Sequence, residues 1–431
     1  MFRLVCLALS VYALAASAAV AAEPSAGWPQ WRGPQRDNVS TFKGLSKDWT
    51  KQPPALLWKT SGLGGGYASV SVADGRLYTT GNIDNAQHII AVDLDKHTVA
   101  WSTPLTEKAP SHGYEGSRCT PTLDGDKAYV VTSNGAIACV STADGRVVWQ
   151  KPFKDWGGKM MSGWGFSESP LVDGETVLCT PGGPDVMIIC LDKATGAEIW
   201  RSAVPDFGSA GKAGAGYSSI IISEAAGVKQ YVQLVGRGTI GVRANDGKLL
   251  WSYNRVANGT ANIPTCIAAG DYVFTSSGYN DGGSALLHLI ADGEGMKAEE
   301  VYYLPAKELQ NHHGGMVLIG ETLYFGHGHN KGFPVAVDLP TGKVLWNAQE
   351  RSRDIGSGSA AITCVDGHLV YRYQSGTVAL IEATPSEFRL KGMFRPEVIQ
   401  KEGWSHPVVV DGKLYLREQD TLMVYDVSMK K

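Results

Sequence analysis

The sequence predicts an all-β fold: an eight-bladed β-propeller of four-stranded antiparallel blades, its ring closed by its own N-terminal strand. Three observations carry this. The stretch Ala336-Val-Asp338-Leu-Pro-Thr341-Gly342-Lys-Val-Leu-Trp346 has edited copies elsewhere, with the same offsets at Asp192, Thr195, Gly196 and Trp200 and looser copies ending at Trp101, Trp149 and Trp251. These Trp residues fall roughly fifty residues apart, the length of four short strands with their turns, which is one blade. Asp124-Gly125, Asp173-Gly174, Asp366-Gly367 and Asp411-Gly412 sit between apolar alternating runs. Asp-Gly there marks a hairpin, because Gly tolerates the positive φ of the turn.

Taken in order, the chain opens with an addressing segment. Arg3 precedes an apolar run from Leu4 to Val20, and Val20-Ala21-Ala22 offers small residues for cleavage before Glu23. Residues 1–22 are therefore expected to be a signal peptide and the mature protein to be exported, to the periplasm or the extracellular space. Residues 23–54 form an N-terminal extension, and the propeller is expected over 55–431. Ala55-Leu-Leu-Trp58-Lys-Thr60 reads as a last strand with nothing before it. First strands follow near Tyr67, Arg118, Phe166, Tyr217, Asn262, His313, Ser357 and Trp404. The fifth and seventh units lack the closing Trp and end near Leu304 and Phe394. The eighth, from Trp404 to Val427, has three strands, so Leu56 to Thr60 is expected to pair into it and leave no open edge.

Composition agrees. Gly is 52 of 431 residues, as many tight turns require, and a net charge of −3 with no basic stripe gives no reason to expect a nucleic-acid partner. Beyond the N-terminal run no segment approaches the ~20 apolar residues of a membrane span. Six cysteines lie outside the leader: Cys119, Cys139, Cys179, Cys190, Cys266 and Cys364. In an oxidising compartment Cys179 with Cys190, across adjacent strands, is the best candidate disulfide; otherwise they are small core residues.

The offset Ala-x-Asp-x-x-Thr-Gly-x-x-x-Trp resembles the tryptophan-docking repeat of the pyrroloquinoline-quinone-like propellers. That superfamily includes the eight-bladed quinoprotein alcohol dehydrogenases and the BamB-type outer-membrane-protein assembly factors. The resemblance covers roughly Ala55 to Val427, and Trp28-Pro-Gln-Trp31-Arg32-Gly33-Pro34 looks like the start of exported bacterial members. It implies a propeller scaffold, a protein partner by analogy with the assembly factors, and the quinone as cofactor by analogy with the dehydrogenases. BamB-type factors are lipid-anchored, whereas no lipobox places Cys6 at the cleavage point. The dehydrogenases carry a vicinal disulfide over the quinone, and no two cysteines here are adjacent.

Residues leading into first strands, and loops between second and third strands, should open on one rim of the central channel. Those positions hold Arg118, Trp164, Phe166, Glu168, Tyr217, Arg237 and Asn262. Further round the ring they hold Asn330, Arg372, Trp404, His406 and Arg417. The densest group is in blade six: His312 and His313 enter the first strand, and His327 and His329 leave the second. Strand alternation would put His327 and His329 on one side and split His312 from His313, so at most three converge. Such imidazoles serve as hydrogen-bonding filler, as a general base or ligand contact, or as metal ligands; no fixed ligand spacing singles out a metal. Trp164 and Trp404 suit stacking on a sugar or flat ring. A channel arginine needs either a carboxylate such as Glu168 or Glu418 or an anionic ligand.

Two function classes follow. One is an exported ligand-binding or scaffolding propeller with a His-, Arg- and aromatic-lined funnel. The other is a carbohydrate-active enzyme of lyase type, with His312, His313, His327, His329 or Tyr217 as base and Arg neutralising a substrate carboxylate. Quinone-dependent dehydrogenation comes last. Its calcium would want oxygen ligands and an Asp base, and Glu168 is the funnel's only obvious first-strand acid.

Overall fold

The computed structural model describes residues 27–350 and 354–430; the expected signal peptide lies outside them. Eight sheets form the ring, each with four antiparallel strands, consecutive in the chain in all but the eighth, and blade seven carries a fifth, short strand. Closure follows the sequence expectation. Ala55–Ser61 pairs antiparallel with Thr421–Asp426, Leu56 opposite Tyr425 and Thr60 opposite Leu422. It completes the blade of Val408–Val410 and Lys413–Glu418. Most first strands are shorter than expected: in blades one to four ladder pairing begins at Ser71, Thr122, Leu171 and Ile221. The residues ahead of them bond sideways instead, Tyr67 N to Ser117 O at 2.7 Å and Tyr217 N to Asn262 O at 2.7 Å.

In four repeats the Trp docks one blade onto the next. Trp101, Trp149 and Trp200 donate their indole N–H to the carbonyls of Thr142, Lys193 and Ala244 in the following blade. Their rings cover the turn glycines Gly145, Gly196 and Gly247, where a Cβ would fall 2.6, 2.8 and 2.4 Å from the indole. Positive φ and this close approach explain the Gly at that offset. Trp346 reaches Thr384 O likewise, whereas Trp251 turns inward to Gln230 Oε1 of its own blade. Blade five lacks the Trp, and Tyr302 takes its place over Gly342, donating to Leu339 O at 2.8 Å. Trp200 and Trp251 are buried; Trp101, Trp149 and Trp346 are half-buried.

The six cysteines among the described residues are free and buried. Cys179 faces Ile189 across the ladder and Cys190 faces Leu178, so neighbouring positions in the register put the two side chains on opposite faces of the sheet. That overturns the Cys179–Cys190 candidate.

Residues 28–40 run through the central channel and touch every blade. Trp28 exchanges two backbone bonds with Val72 of blade one, and Pro29 O accepts from Leu123 N of blade two. Arg36 spans three blades, donating to Thr122 Oγ1, to the carbonyls of Ser169 and Pro170, and to Ile220 O. Arg32 reaches Thr265 O in blade five and Met316 O in blade six. Val39–Ser40 pairs parallel with Ala360–Val365 of blade seven, and Ser40 Oγ donates to Val409 O of blade eight. Three non-glycine residues of this strap, Arg32, Arg36 and Asn38, hold positive φ. Such backbone is costly and persists only where surrounding contacts over-determine it.

Candidate functional site

Above the strap, one mouth of the channel is a cavity of about 360 Å³. Its floor is Trp31 and Arg32 of the strap. Its wall carries Tyr67, Tyr114, Tyr217, Tyr279, Trp164 and Trp404, the imidazoles of His312, His313, His329 and His406, and Arg118 and Asn330. Among the described lining residues there is no carboxylate.

Three of these histidines, His312, His313 and His329, form one ring contact chain. His312 lies 4.1 Å from His313 and 4.3 Å from His329, centroid to centroid, and Tyr279 abuts both His312 and His329. His313 meets Trp404 edge-on, and His406 packs on Trp31 at 4.4 Å. The expectation that His312 and His313 point oppositely fails for a local reason. The register of the strand Asn311–Ile319 breaks between Asn311 and Met316, and Gly315 holds a positive φ, so alternation is suspended there. His327 is the one that turns away: its Nδ1 accepts from Gln310 N at 3.2 Å.

Burial keeps these imidazoles uncharged. Desolvation, with His406, His329 and Arg118 close by, holds His313 down to about 3. Desolvation and Arg32 hold His406 down to about 3. His312 is pushed further the same way, and His329 is also lowered by burial. The tyrosines move up: desolvation and Glu402 raise Tyr67 to about 12, and burial raises Tyr217 and Tyr279. Arg118 and Arg32, each lowered by desolvation to about 10, stay cationic at neutral pH.

Several candidates serve the scaffold instead. Arg237 pairs with Asp206 on the surface at 3.0 Å. Arg372 forms a fully buried ion pair with Glu418 at 2.7 Å and donates to Ser405 O. Arg417 ties blade eight to blade one through Thr79 Oγ1 and the carbonyls of Leu63, Gly64 and Thr80. Glu168 is buried on Thr180 and Gln233. Asn262 holds Val235 O and Gly236 O, and Phe166 packs on Phe153. Sequence reasoning missed Trp31, Arg32, Tyr67, Tyr114 and Tyr279. The Trp31-Arg32 motif was the available signal, and nothing local ties it to a channel assembled from distant blades.

No three His, Cys, Asp or Glu side chains among the described residues are grouped to hold a metal ion. A calcium-held quinone wants several oxygen ligands. A wall without carboxylates does not fit that group.

Fold and funnel define the class: a closed eight-bladed repeat propeller with a strap-floored pocket at one channel mouth. The family model described as "Outer membrane protein assembly factor BamB" matches residues 40–161 and 86–347, and the chain belongs to that family. A stretch of 121 residues is 29% identical to the outer membrane protein assembly factor BamB of Burkholderia pseudomallei (strain K96243), covering 26% of this chain and 27% of that protein. The match thus spans about a quarter of that relative's length. In fold, a quinohemoprotein alcohol dehydrogenase from Comamonas testosteroni is similar at TM-score 0.64 and 13% identity, over 95% of this chain and 82% of that one. A europium-containing methanol dehydrogenase is similar at TM-score 0.62 and 12% identity, over 90% and 89%. Among the described residues no helix is long and apolar enough to cross a membrane.

Proposed function

We propose that this protein is an exported, periplasmic ligand-binding propeller whose funnel takes a small molecule with a flat face and many hydrogen-bond acceptors. The observation that carries this is the composition of the cavity wall: aromatic faces, neutral imidazoles and two guanidiniums around one opening. Aromatic walls with a few convergent polar groups are what small-molecule sites present. Five buried polar atoms of lining residues, Trp404 Nε1, His312 Nε2, His329 Nδ1, Gln374 Oε1 and Arg32 Nε, have no hydrogen-bond partner among the described residues; a bound acceptor or donor would satisfy them.

The same groups weigh against catalysis by general base. An efficient base has its pKa near the working pH. Here burial and neighbouring positive charge hold His313 and His406 far below it, and burial lifts the tyrosines further above it. The carbohydrate-lyase reading therefore has weaker support than binding. Export rests on the leader-like N-terminal sequence and on the family's outer-membrane name, and a scaffolding role beside other proteins is compatible with an occupied funnel.

Three tryptophans line the cavity, so titration of the full chain with benzoate, benzyl alcohol, glucuronate and glucose, followed by intrinsic fluorescence, tests the proposal. At least one should give a saturable change that Trp404→Ala abolishes without altering the melting temperature by more than a few degrees. No saturable binding of any of the four would overturn it.

A further inference from the structure

Of the two guanidiniums at the funnel, one is spent and one is not. Arg118 gives its Nη groups to the backbone carbonyls of Trp164 at 2.8 Å, Tyr114 at 2.6 Å and Gly113 at 2.9 Å. Arg32 is 2% exposed. Its Nη2 donates to Met316 O at 2.7 Å, its Nη1 makes a long contact of 3.4 Å to Thr265 O, and its Nε has no partner among the described residues. It forms no ion pair among them. Asp37 acts on its charge only through space, forming no ion pair with it, and has its Oδ1 occupied by Val39 N at 2.9 Å. A buried cation with unused donor capacity, facing a cavity without carboxylates, is a costly arrangement unless an anion completes it.

We propose that the funnel's ligand is an organic acid whose carboxylate is bound by Arg32 of the strap, making residues 28–40 part of the binding site and its charge selector. This rests on the funnel being a ligand site. Trp31, the other strap residue at the floor, lies beside Arg32 and against His406. The ligand body then occupies the aromatic space toward Trp404. Because Arg32 belongs to a segment that threads the ring, the site is complete only with the strap docked. An acid bound there must therefore hold the strap in place, since whatever binds one state stabilises it. Positive φ at Arg32, Arg36 and Asn38 fits a segment whose own side-chain contacts with the blades hold its backbone in a costly conformation.

The experiment compares acid and neutral partners of the same body on the full chain: benzoate against benzyl alcohol, and glucuronate against glucose. In at least one pair the acid should bind tenfold or more tightly than its neutral partner. Arg32→Gln should erase that ratio by weakening only the acid, and Arg32→Lys should restore part of it. In the wild-type chain the acid should also slow amide hydrogen exchange across residues 30–38, a readout that needs no variant should Arg32→Gln fold poorly. Equal binding of acid and neutral members overturns this inference and leaves the funnel reading intact. So does an acid preference that survives Arg32→Gln and is lost in Arg118→Gln, or exchange protection confined to residues 113–118. Binding of none of the four sinks the funnel reading and the inference together.

Discussion

Trp200→Ala is the sharpest test of the docking scheme that holds the ring together. The indole is 9% exposed, packs against Tyr231 and its neighbours in the interface of blades three and four, and donates to Ala244 O at 3.2 Å. Truncating a buried aromatic costs about 3–5 kcal/mol, and that sum already includes the roughly 1 kcal/mol net value of the hydrogen bond. Trp101, half-buried in the equivalent position, should cost roughly half as much on the same basis. Gly247 supplies an internal control. An alanine there would put its Cβ 2.4 Å from the Trp200 ring at a φ of +72°. Gly247→Ala alone therefore suffers both the clash and about 1–2 kcal/mol of left-handed strain, whereas in the Trp200→Ala background the clash is gone. Urea midpoints followed by circular dichroism on the two singles and the double give the coupling. Strict additivity, or a Trp200→Ala loss no larger than that of Trp101→Ala, would refute the docking argument.

Glu168 predicts a pH effect of definite sign. Desolvation raises its folded-state pKa to about 7 from an ordinary 4.5, against bonds from Thr180 and Gln233 that pull it down. Between those values the folded state holds more protons than the unfolded one, so this group's contribution to stability falls as pH rises from about 4.5 to about 7, by about 3 kcal/mol. Glu168→Gln should remove that slope. The buried His313 and His406 act oppositely, losing stability as pH falls from 6.5 toward about 3, so the difference between wild type and Glu168→Gln is the quantity to measure. An unchanged midpoint-versus-pH curve would show that the carboxyl is not buried neutral. Within blade six, His327→Ala should lower stability by about 1–3 kcal/mol, because Gln310 N loses its acceptor, while leaving acid binding unaltered. His313→Ala should do the reverse, and identical profiles for the two would mean that the funnel does not divide them as described.

How far the sequence reached depends on the range of the interaction. Blade number, turn positions and ring closure were legible because each blade is a local unit: Asp-Gly turns, alternating strands and a Trp followed, one repeat later, by the Gly it covers. Even the missing Trp of blade five was an honest gap, since Tyr302 fills the same place with the same kind of bond. A shared rim for Arg118, Trp164, Tyr217, Asn330, Trp404 and His406 was legible as geometry, since strand order brings them round one cavity; that they bind a ligand is a proposal. The convergence of His312 and His313 was not, because it depends on a broken register that alternation cannot foresee.

The sequence by itself thus determined the architecture, since a repeat fixes its neighbours through contacts within one or two units. Tertiary structure alone decided what fills the channel. Arg36 meets Ile220 across 184 residues, Arg32 meets Met316 across 284, and Asn38 meets His406 across 368. No local pattern encodes pairings of that separation. They exist because eight first strands converge on one axis and present backbone carbonyls, which the arginines and Ser40 of the inserted segment satisfy.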